Sequence, residues 1–380
     1  MKVIHVCLSC FYIDNSSYQE NELVKRHVEK GHDVVVLAST ESYDDKGKLC
    51  YVKEGTYLGS DGAKVVRLPY RSFLPHKIMR KLRFYKGAVK VLKNEAPDVL
   101  VFHGLCAGEL ISIVSYVKKN KKVRFFIDSH EDFNNSAMSF GSKYLLHLLY
   151  YRTILKIVEK HLPTILCVSI ETMSFVSEMY GISKDKLEFF PMGGAILNEE
   201  EIGKYNTVVR NKLGIKDKNL VLLHSGKFNH RKRIIESLKA FKEIKDDDAV
   251  LLIAGMPLPD VEDEFKLCLS QDKRIKFLGW LNREELIEIL CAVDIYLQPG
   301  TQSATMQQAM CCGCAVLVRD MPSHEPFIKG NGWLVGDDDD LVEMYRHILI
   351  KNNNLELMKK KSYNLAMNML DYSKLAERIL

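Results

Sequence analysis

The residues best suited to chemistry lie in a basic loop between Ser225 and Arg233. A short apolar run precedes this loop and a helical pattern follows it, which predicts a buried strand, a loop and then a helix. The N-terminal end of a helix attracts anions through its N–H groups and its dipole, and Gly226 gives the loop flexibility. A diphosphate is therefore the expected ligand, with Lys227 and Lys232 as its direct contacts. A solvated basic turn is the alternative interpretation.

A second candidate loop follows the strand predicted at 295–298, where a Pro-Gly turn leads into small polar residues. Thr301, Gln302, Ser303 and Ala304 lie at the start of the next predicted helix. Backbone N–H groups at such a position can bind a phosphate or the hydroxyl groups of a sugar. A well-capped turn without a ligand is the alternative, because helix caps are commoner than ligand sites.

The elements that must position these loops alternate between short β-branched runs and helical periodicity. This alternation is typical of parallel α/β units, and a break near 191–194 separates two such series. Ligands of such sheets bind at the carboxyl ends of the strands, where both loops lie. The predicted fold is therefore α/β with two Rossmann-like domains. Its strands are predicted at 3–8, 34–37, 65–68, 99–102, 125–128 and 165–169, and then at 220–225, 250–255, 275–278, 295–298, 315–318 and 333–335.

Two histidines, His103 and His130, end predicted strands of the first half. Both are candidates for ligand contact, although a lone histidine is more often structural. The carboxylates around His130 raise a metal site as a second interpretation. The cysteines favour no zinc site, because the two pairs with C-x-x-C spacing lie in opposite halves of the chain.

A basic segment at 71–93 interleaves lysines and arginines with apolar residues, in a chain whose net charge is only +5. Such a segment can lie on an anionic membrane surface, and a solvated helix face is the alternative. A second basic cluster at 118–124 is interpreted as a polar turn. No aromatic stacking platform accompanies the charge, so nucleic acid is not an expected partner.

The same sequence favours a cytoplasmic location. No apolar stretch is long enough to span a membrane, and the first ten residues predict a strand instead of a signal peptide. The irregularly spaced cysteines suit reduced, buried thiols.

The second half of the chain resembles the retaining glycosyltransferases of family 4, the group 1 glycosyltransferases, which have the GT-B fold. In that family a strand ending in Gly-Arg is followed five residues later by a lysine, and Gly226, Lys227 and Lys232 occupy these places. The first half is similar more loosely. Further matches lie at 31–34, 275–280, 285–286, 292–296, 309–310, 313 and 372–376.

The resemblance implies two Rossmann-like domains whose parallel sheets face a central cleft. The N-terminal domain at 1–197 would take the acceptor, the domain at 198–365 would hold the donor, and a helix at 366–380 would cross back to the first domain. The implied reaction is sugar transfer with retention, from a UDP- or GDP-sugar to a hydroxyl of a saccharide or lipid-linked acceptor, in polysaccharide or glycoconjugate assembly. It implies no metal and no cofactor. The basic segment at 71–93 adds the expectation of a peripheral place on the inner face of the membrane.

Residue roles follow from the same resemblance. His130 would contact the donor sugar, with His103 as the second choice, and Lys227 and Lys232 would stabilise the diphosphate. Contacts to the donor are expected from Gly226, Arg231, Thr301, Gln302, Ser303, Ala304 and Gln308. Contacts from an N-terminal loop are expected from Asn15 and Ser16.

Two positions depart from the family, which has two glutamates eight positions apart where this chain has Gly300 and Gln308. The amide of Gln308 can still bond ribose hydroxyls, whereas Gly300 lacks a carboxylate that contacts the donor sugar. A catalytically impaired nucleotide-sugar-binding subunit or regulator is therefore the alternative function. A dehydrogenase is a poor interpretation, because no glycine-rich turn follows the first strand.

Overall fold

The computed structural model describes residues 1–44, 48–301, 303–336, 341–350 and 354–380. The chain divides into two compact units. The first comprises Met1–Pro191 and Tyr372–Leu380, and the second comprises Met192–Asp371. The boundary that the sequence suggests at 365 falls inside the helix Leu355–Met369, and the structural division comes just after this helix.

The strands are short, and most are apolar and buried along their length. Those of the first unit are β1 (Lys2–Cys7), β2 (Asp33–Ser39), β3 (Glu41–Tyr43), β4 (Leu49–Tyr51), β5 (Gly55–Leu58), β6 (Lys64–Leu68), β7 (Val99–Phe102), β8 (Arg124–Ser129), β9 (Ile165–Cys167) and β10 (Leu187–Phe189). Those of the second are β11 (Leu220–Phe228), β12 (Ala249–Pro257), β13 (Ile275–Gly279), β14 (Ile295–Gln298), β15 (Ala315–Arg319) and β16 (Gly332–Val335).

The helices alternate with these strands. They are α1 (Gln19–Glu29), α2 (His76–Leu82), α3 (Ala88–Glu95), α4 (Leu110–Lys119), α5 (Arg152–Val158), α6 (Ile170–Phe175), α7 (Glu199–Leu213), α8 (Ile234–Lys242), α9 (Glu262–Ser270), α10 (Arg283–Cys291), α11 (Ala304–Cys311), α12 (Leu341–Ile350), α13 (Leu355–Met369) and α14 (Tyr372–Glu377). A π-helical segment, Gly141–Tyr151, leads directly into α5. None of the helices that the described residues form is long and apolar enough to cross a bilayer.

Each unit is built on a largely parallel sheet. The strand order is β10-β9-β8-β7-β1-β2-β6-β5 in the first unit and β13-β12-β11-β14-β15-β16 in the second. Among the described strands of these two sheets, β5 alone is antiparallel to its neighbour, and β3 and β4 form a separate antiparallel pair. In each sheet, successive strands are added first on one side of the first strand and then on the other. The strand order therefore reverses between β1 and β7 in the first sheet and between β11 and β14 in the second. Ligands of open α/β sheets bind beside such reversal points.

The predicted α/β fold with two parallel sheets is confirmed, and each predicted strand overlaps an observed one. The sequence patterns missed β3, β4, β5 and β10. These strands are three or four residues long, and β5 is exposed at every residue, so they lack the apolar run on which the prediction relied.

The basic segment 71–93 forms two short helices, α2 and α3, instead of one continuous surface helix. Two of its cations are used inside the unit. The guanidinium of Arg71 pairs with Glu109 at 3.2 Å, and that of Arg83 donates to the carbonyl oxygens of Ser9 and Cys106. On α2, Lys77 and Lys81 are exposed, and the side chain of Arg80 is 40% exposed.

The end of the chain packs into the core of the first unit. Tyr372, Leu375, Ala376 and Ile379 are buried against residues of β1, β7, α1 and their neighbours. The ammonium of Lys30, just after α1, donates to the carbonyl oxygen of Ser373 at 3.0 Å and pairs with Glu377. The last helix is thus part of the same packed body as the first strand.

Candidate functional site

The two loops singled out in the second half meet beside the reversal point of their sheet. The β11–α8 loop contains a short 3₁₀ turn, His230–Lys232, and the β14–α11 loop runs from Pro299 to Ser303. The backbone N–H of Thr301 donates to the carbonyl of Arg231 at 3.2 Å. The loops are adjacent because β11 and β14 pair in parallel, with Leu222 opposite Ile295.

Gly300 allows this close approach. A Cβ atom at this position would overlap the carbonyl oxygen of Arg231 and would lie 2.7 Å from two backbone atoms of Lys232. No side chain fits there without moving the loops. The absence of a carboxylate at position 300 is therefore a property of how this chain packs the two loops.

The side chain of Lys232, in the β11–α8 loop, bonds to the β14–α11 loop. Its Nζ donates to the carbonyl oxygen of Thr301 at 2.9 Å, and the amide of Gln298 donates to the same oxygen at 2.9 Å. Burial, and then the positive charge of Arg231, lower the pKa of the Lys232 ammonium to about 8. At neutral pH the site thus holds a cation that burial disfavours, and an anion bound nearby would stabilise it.

Lys227, the other proposed diphosphate contact, has a different environment. It is exposed, and its Nζ lies 5.7 Å from the centroid of the Trp280 ring. Gly226 has φ 138°, and a Cβ atom added there would contact nothing within 4 Å. Open space therefore borders the backbone of Gly226. Sequence analysis missed Gly255, which pairs with Gly226 and whose Cβ would overlap the Gly226 carbonyl.

Ser303 and Gln308 make bonds within the unit. The hydroxyl of Ser303 accepts from the N–H of Thr305 at 3.3 Å, so Ser303 caps α11 immediately before Ala304. The amide of Gln308 accepts from the N–H of Ala195 at 2.8 Å and donates to the Ala195 carbonyl at 2.9 Å. A ribose hydroxyl would have to share or displace these bonds. Gln302 lies outside the described residues.

The first unit has a cavity of about 960 Å³, and His130, Glu131 and Glu20 line part of it. His130 reaches this cavity, whereas His103 is completely buried. Asn15 and Ser16 do not line it. Asn15 instead accepts from the hydroxyl of Ser60 at 2.5 Å, and the N–H of Ser16 closes a turn onto Ile13.

His103 belongs to a buried chain of imidazoles that sequence analysis did not find. Nε2 of His27 lies 2.9 Å from the carbonyl oxygen of Ala376, and its Nδ1 lies 2.9 Å from Nε2 of His5. Nδ1 of His5 lies 2.9 Å from Nε2 of His103. Nδ1 of His103 lies 2.5 Å from Oδ2 of Asp128. We call these three histidines and Asp128 the histidine chain.

Counting protons fixes the charge of the histidine chain. Its four hydrogen bonds need four N–H protons when Asp128 is ionised, and three neutral imidazoles carry only three. One imidazole must therefore be positively charged. The Ala376 carbonyl can only accept, so Nε2 of His27 donates.

The pKa directions place the charge on His103. Burial alone would lower the pKa of His103, but the Asp128 carboxylate raises it to about 10, with a smaller contribution from Glu20. Burial lowers the pKa of His27 to about 4 and that of His5 well below its usual value. Despite its own burial, Asp128 has a lowered pKa because of the His103 charge.

His130 lies against the same carboxylate. Its Nε2 is 3.7 Å from Oδ1 of Asp128, and this buried nitrogen has no hydrogen-bond partner among the described residues. Burial opposes the charged form, but the nearby carboxylate of Asp128 raises the pKa of His130 to about 9. His130 is therefore a cationic donor at neutral pH. Among the described residues, no group of three or more His, Cys, Asp or Glu side chains could hold a metal ion.

Two family models match the chain: "Glycosyl transferases group 1" over residues 206–365 and "Glycosyltransferase Family 4" over residues 21–193. The chain belongs to the group 1 glycosyltransferases. A search of curated proteins found no match.

Solved structures of glycosyltransferases share the fold. The sucrose-phosphate synthase of Thermosynechococcus elongatus is 13% identical, with a TM-score of 0.67, and the match covers 99% of this chain and 96% of that one. HepE of Anabaena in complex with UDP is 14% identical, with a TM-score of 0.66 and coverage of 100% and 98%. WaaG, a glycosyltransferase of lipopolysaccharide biosynthesis, is 15% identical, with a TM-score of 0.62 and coverage of 99% and 98%. The expected GT-B fold is confirmed.

The proton count predicts that both ring nitrogens of His103 stay protonated at pH 8, while His5 and His27 each carry one proton. Nitrogen-15 NMR of histidine-labelled protein reads these states directly. In an Asp128→Asn variant the compensating charge is gone, so His103 should lose its extra proton at or below neutral pH. Three singly protonated rings in the wild type at pH 7 would contradict the count.

Proposed function

We propose that this glycosyltransferase moves a sugar from a nucleoside diphosphate sugar to an acceptor hydroxyl with retention of configuration. The observation that carries the proposal is the partly buried ammonium of Lys232, held where the loops after β11 and β14 meet. A partly buried cation with a lowered pKa suits a diphosphate, whose charge would offset the cost of burial, and the open space at Gly226 leaves room on the same strand-to-helix loop.

The chemistry follows from that charge. The bond between the anomeric carbon and the β-phosphate oxygen breaks through an oxocarbenium-like transition state, and a bond to the acceptor oxygen forms on the same face. The departing phosphate takes the proton of the acceptor hydroxyl. Lys232 and Lys227 stabilise the negative charge that grows on the diphosphate, an effect often worth several kcal/mol.

The remaining donor contacts in the proposal are Arg231, the backbone of Thr301 to Ala304 and the amide of Gln308. Arg231 and Lys232 supply positive charge at the diphosphate, which supports a mechanism that needs no metal. Protonated His130 presents a donor to the sugar, whereas His103 acts behind Asp128 and not on the ligand. Contacts from Asn15 and Ser16 stay predictions.

For the donor, UDP is the first candidate, since HepE, which shares the fold, was solved with UDP. GDP remains the second candidate. For the acceptor, we propose a saccharide or lipid-linked hydroxyl in polysaccharide or glycoconjugate assembly. The protein would act in the cytoplasm and contact an anionic membrane through segment 71–93, whose exposed lysines on α2 support that contact. The lipopolysaccharide role of WaaG is consistent with such an acceptor.

A nucleotide-sugar-binding subunit without turnover is the second candidate. Gly300 favours it, because the packing of the two loops leaves no room for a carboxylate at that position. Both candidates bind the nucleotide, so donor hydrolysis or transfer, measured at saturating donor, separates them.

We expect UDP or GDP to raise the melting temperature of the wild type in the presence of EDTA. A ligand at a hundred times its Kd stabilises the folded state by about 2.7 kcal/mol, which corresponds to several degrees for a unit of this size. Lys232→Met should abolish most of this shift. Without nucleotide the variant should melt no lower than the wild type, because it buries no charge.

Lys242→Met is the matched control, since it also removes one positive charge and Lys242 is exposed on α8. It should keep the wild-type shift. An unchanged shift in Lys232→Met would remove the proposed site, and no shift with UDP, GDP or ADP in the wild type would remove the proposed function.

A further inference from the structure

Two carboxylates, those of Glu20 and Glu131, line the cavity of the first unit. Glu20, on α1, is only 7% exposed, and it lines the cavity. Its neighbour Glu131 is satisfied, since it accepts from Ser129 and from the N–H of Leu105. A carboxylate that lines a cavity accepts hydrogen bonds, and the hydroxyl groups of a sugar are suitable donors.

One wall of the cavity is basic. Arg80 and Lys81, at the end of α2, both line it. Nε of Arg80 lies 4.0 Å from Oε1 of Glu41, and Glu41 also accepts from the hydroxyl of Tyr70 at 2.8 Å. Guanidinium and ammonium groups in this position suit a phosphate.

The rim of the cavity is apolar. Met138 and Leu146 line the cavity, and the segment that carries them exposes further large apolar side chains. Phe140 is 78% exposed, and Leu145 and Leu149 are 61% and 62% exposed. We call residues 138–149 the apolar rim. Exposed apolar groups of this size, clustered in one segment, mark a surface that contacts an apolar partner.

The two residues that follow the apolar rim form hydrogen bonds to α2, which also lines the cavity. The hydroxyl of Tyr151, at the end of the π-helical segment, donates to the carbonyl of Lys81 at 2.5 Å, and that of Tyr150 donates to the carbonyl of Leu82 at 2.8 Å. The start of the α2 region is also apolar and exposed, through Phe73, Leu74 and Ile78.

Charge identifies the apolar partner as lipid. Neither 71–94 nor 133–158 contains an aspartate or a glutamate, and both contain lysine or arginine. A surface that combines large apolar side chains with cations and no acidic residue fits an anionic bilayer.

We propose that the cavity binds an amphiphilic acceptor, a saccharide joined through a phosphate to a lipid. The saccharide hydroxyls bond the carboxylate of Glu20, the phosphate lies at Arg80 and Lys81, and the lipid leaves along the apolar rim into an anionic bilayer. This inference rests on the proposed function, because it names the acceptor class of the same reaction. The apolar rim is the reason to propose a lipid-linked phosphate instead of a free phosphorylated sugar.

Vesicle flotation tests the membrane part. The wild type should bind vesicles of phosphatidylcholine with phosphatidylglycerol and bind pure phosphatidylcholine at least tenfold more weakly. Leu145→Gln with Leu149→Gln, and separately Lys77→Gln with Lys81→Gln, should each weaken binding to the anionic vesicles by about tenfold or more. Lys118→Gln with Lys121→Gln is the matched control, since both lysines are exposed at the other basic cluster, and it should bind as the wild type does.

Calorimetry tests the cavity, with dodecyl phosphate below its micelle concentration, dodecyl maltoside and inorganic phosphate as probes. We expect dodecyl phosphate to bind at least tenfold more tightly than either of the others, and Arg80→Gln with Lys81→Gln to remove this preference. Equal binding of inorganic phosphate would point to a free phosphorylated sugar and overturn the lipid-linked class. No vesicle binding, or equal losses in the control variant, would also overturn it.

The nucleotide measurement separates this inference from the proposed function. The rim and α2 variants should keep the UDP-induced rise in melting temperature, because their substitutions lie in the first unit. If these variants lose binding to vesicles and to dodecyl phosphate but keep the UDP-induced rise, the substitutions affect the acceptor site and leave the nucleotide site unchanged. A wild type that binds dodecyl phosphate but no nucleotide would contradict the proposed function instead.

Discussion

The candidate site of the second unit depends on one partly buried positive charge, the ammonium of Lys232. Lys232 can reach the Thr301 carbonyl only because the loops after β11 and β14 touch, and they touch because position 300 has no side chain. The parallel pairing of β11 with β14 brings the two loops to the same edge of the sheet. Burial lowers the pKa of this lysine, so the unliganded protein holds a charge that an anion would stabilise.

The first unit also buries a cation at the reversal point of its sheet, but it supplies the counter-charge itself. The Asp128 carboxylate raises the pKa of His103, whereas burial and the positive charge of Arg231 lower that of Lys232. The contrast separates a structural charge from one that suits a ligand. The histidine chain also connects the last helix, through Ala376, to the carboxylate beside His130. The end of the polypeptide thus helps to fix the electrostatics of the cavity.

The sequence predicted the sheets well, because buried parallel strands are continuous apolar runs that need no knowledge of tertiary contacts. It predicted the two loops of the second unit for the same reason, since loops follow from strand ends. It did not predict that Gly300 is required by packing, nor that the amide of Gln308 bonds the backbone of Ala195. Both facts depend on which segments meet in space.

The histidine chain shows the same limit. His5, His27 and His103 are far apart in sequence, and each alone resembles an ordinary buried histidine. Only the register of β1 beside β7 and the docking of α14 bring them into line. The apolar rim was missed for a different reason: its residues match a buried helix in composition, and only the structure shows that they are exposed.

The most direct test of the central claim is the pH dependence of UDP affinity, measured by calorimetry from pH 7.5 to 9.5 in the wild type and in Lys232→Arg. A lysine with a pKa of about 8 loses its charge within this range, whereas arginine stays charged. Ionisation of the ligand is common to both proteins. We predict that wild-type affinity falls by up to about tenfold per pH unit above pH 8, while the arginine variant shows a flatter profile. Parallel profiles would show that the charge of Lys232 does not hold the diphosphate.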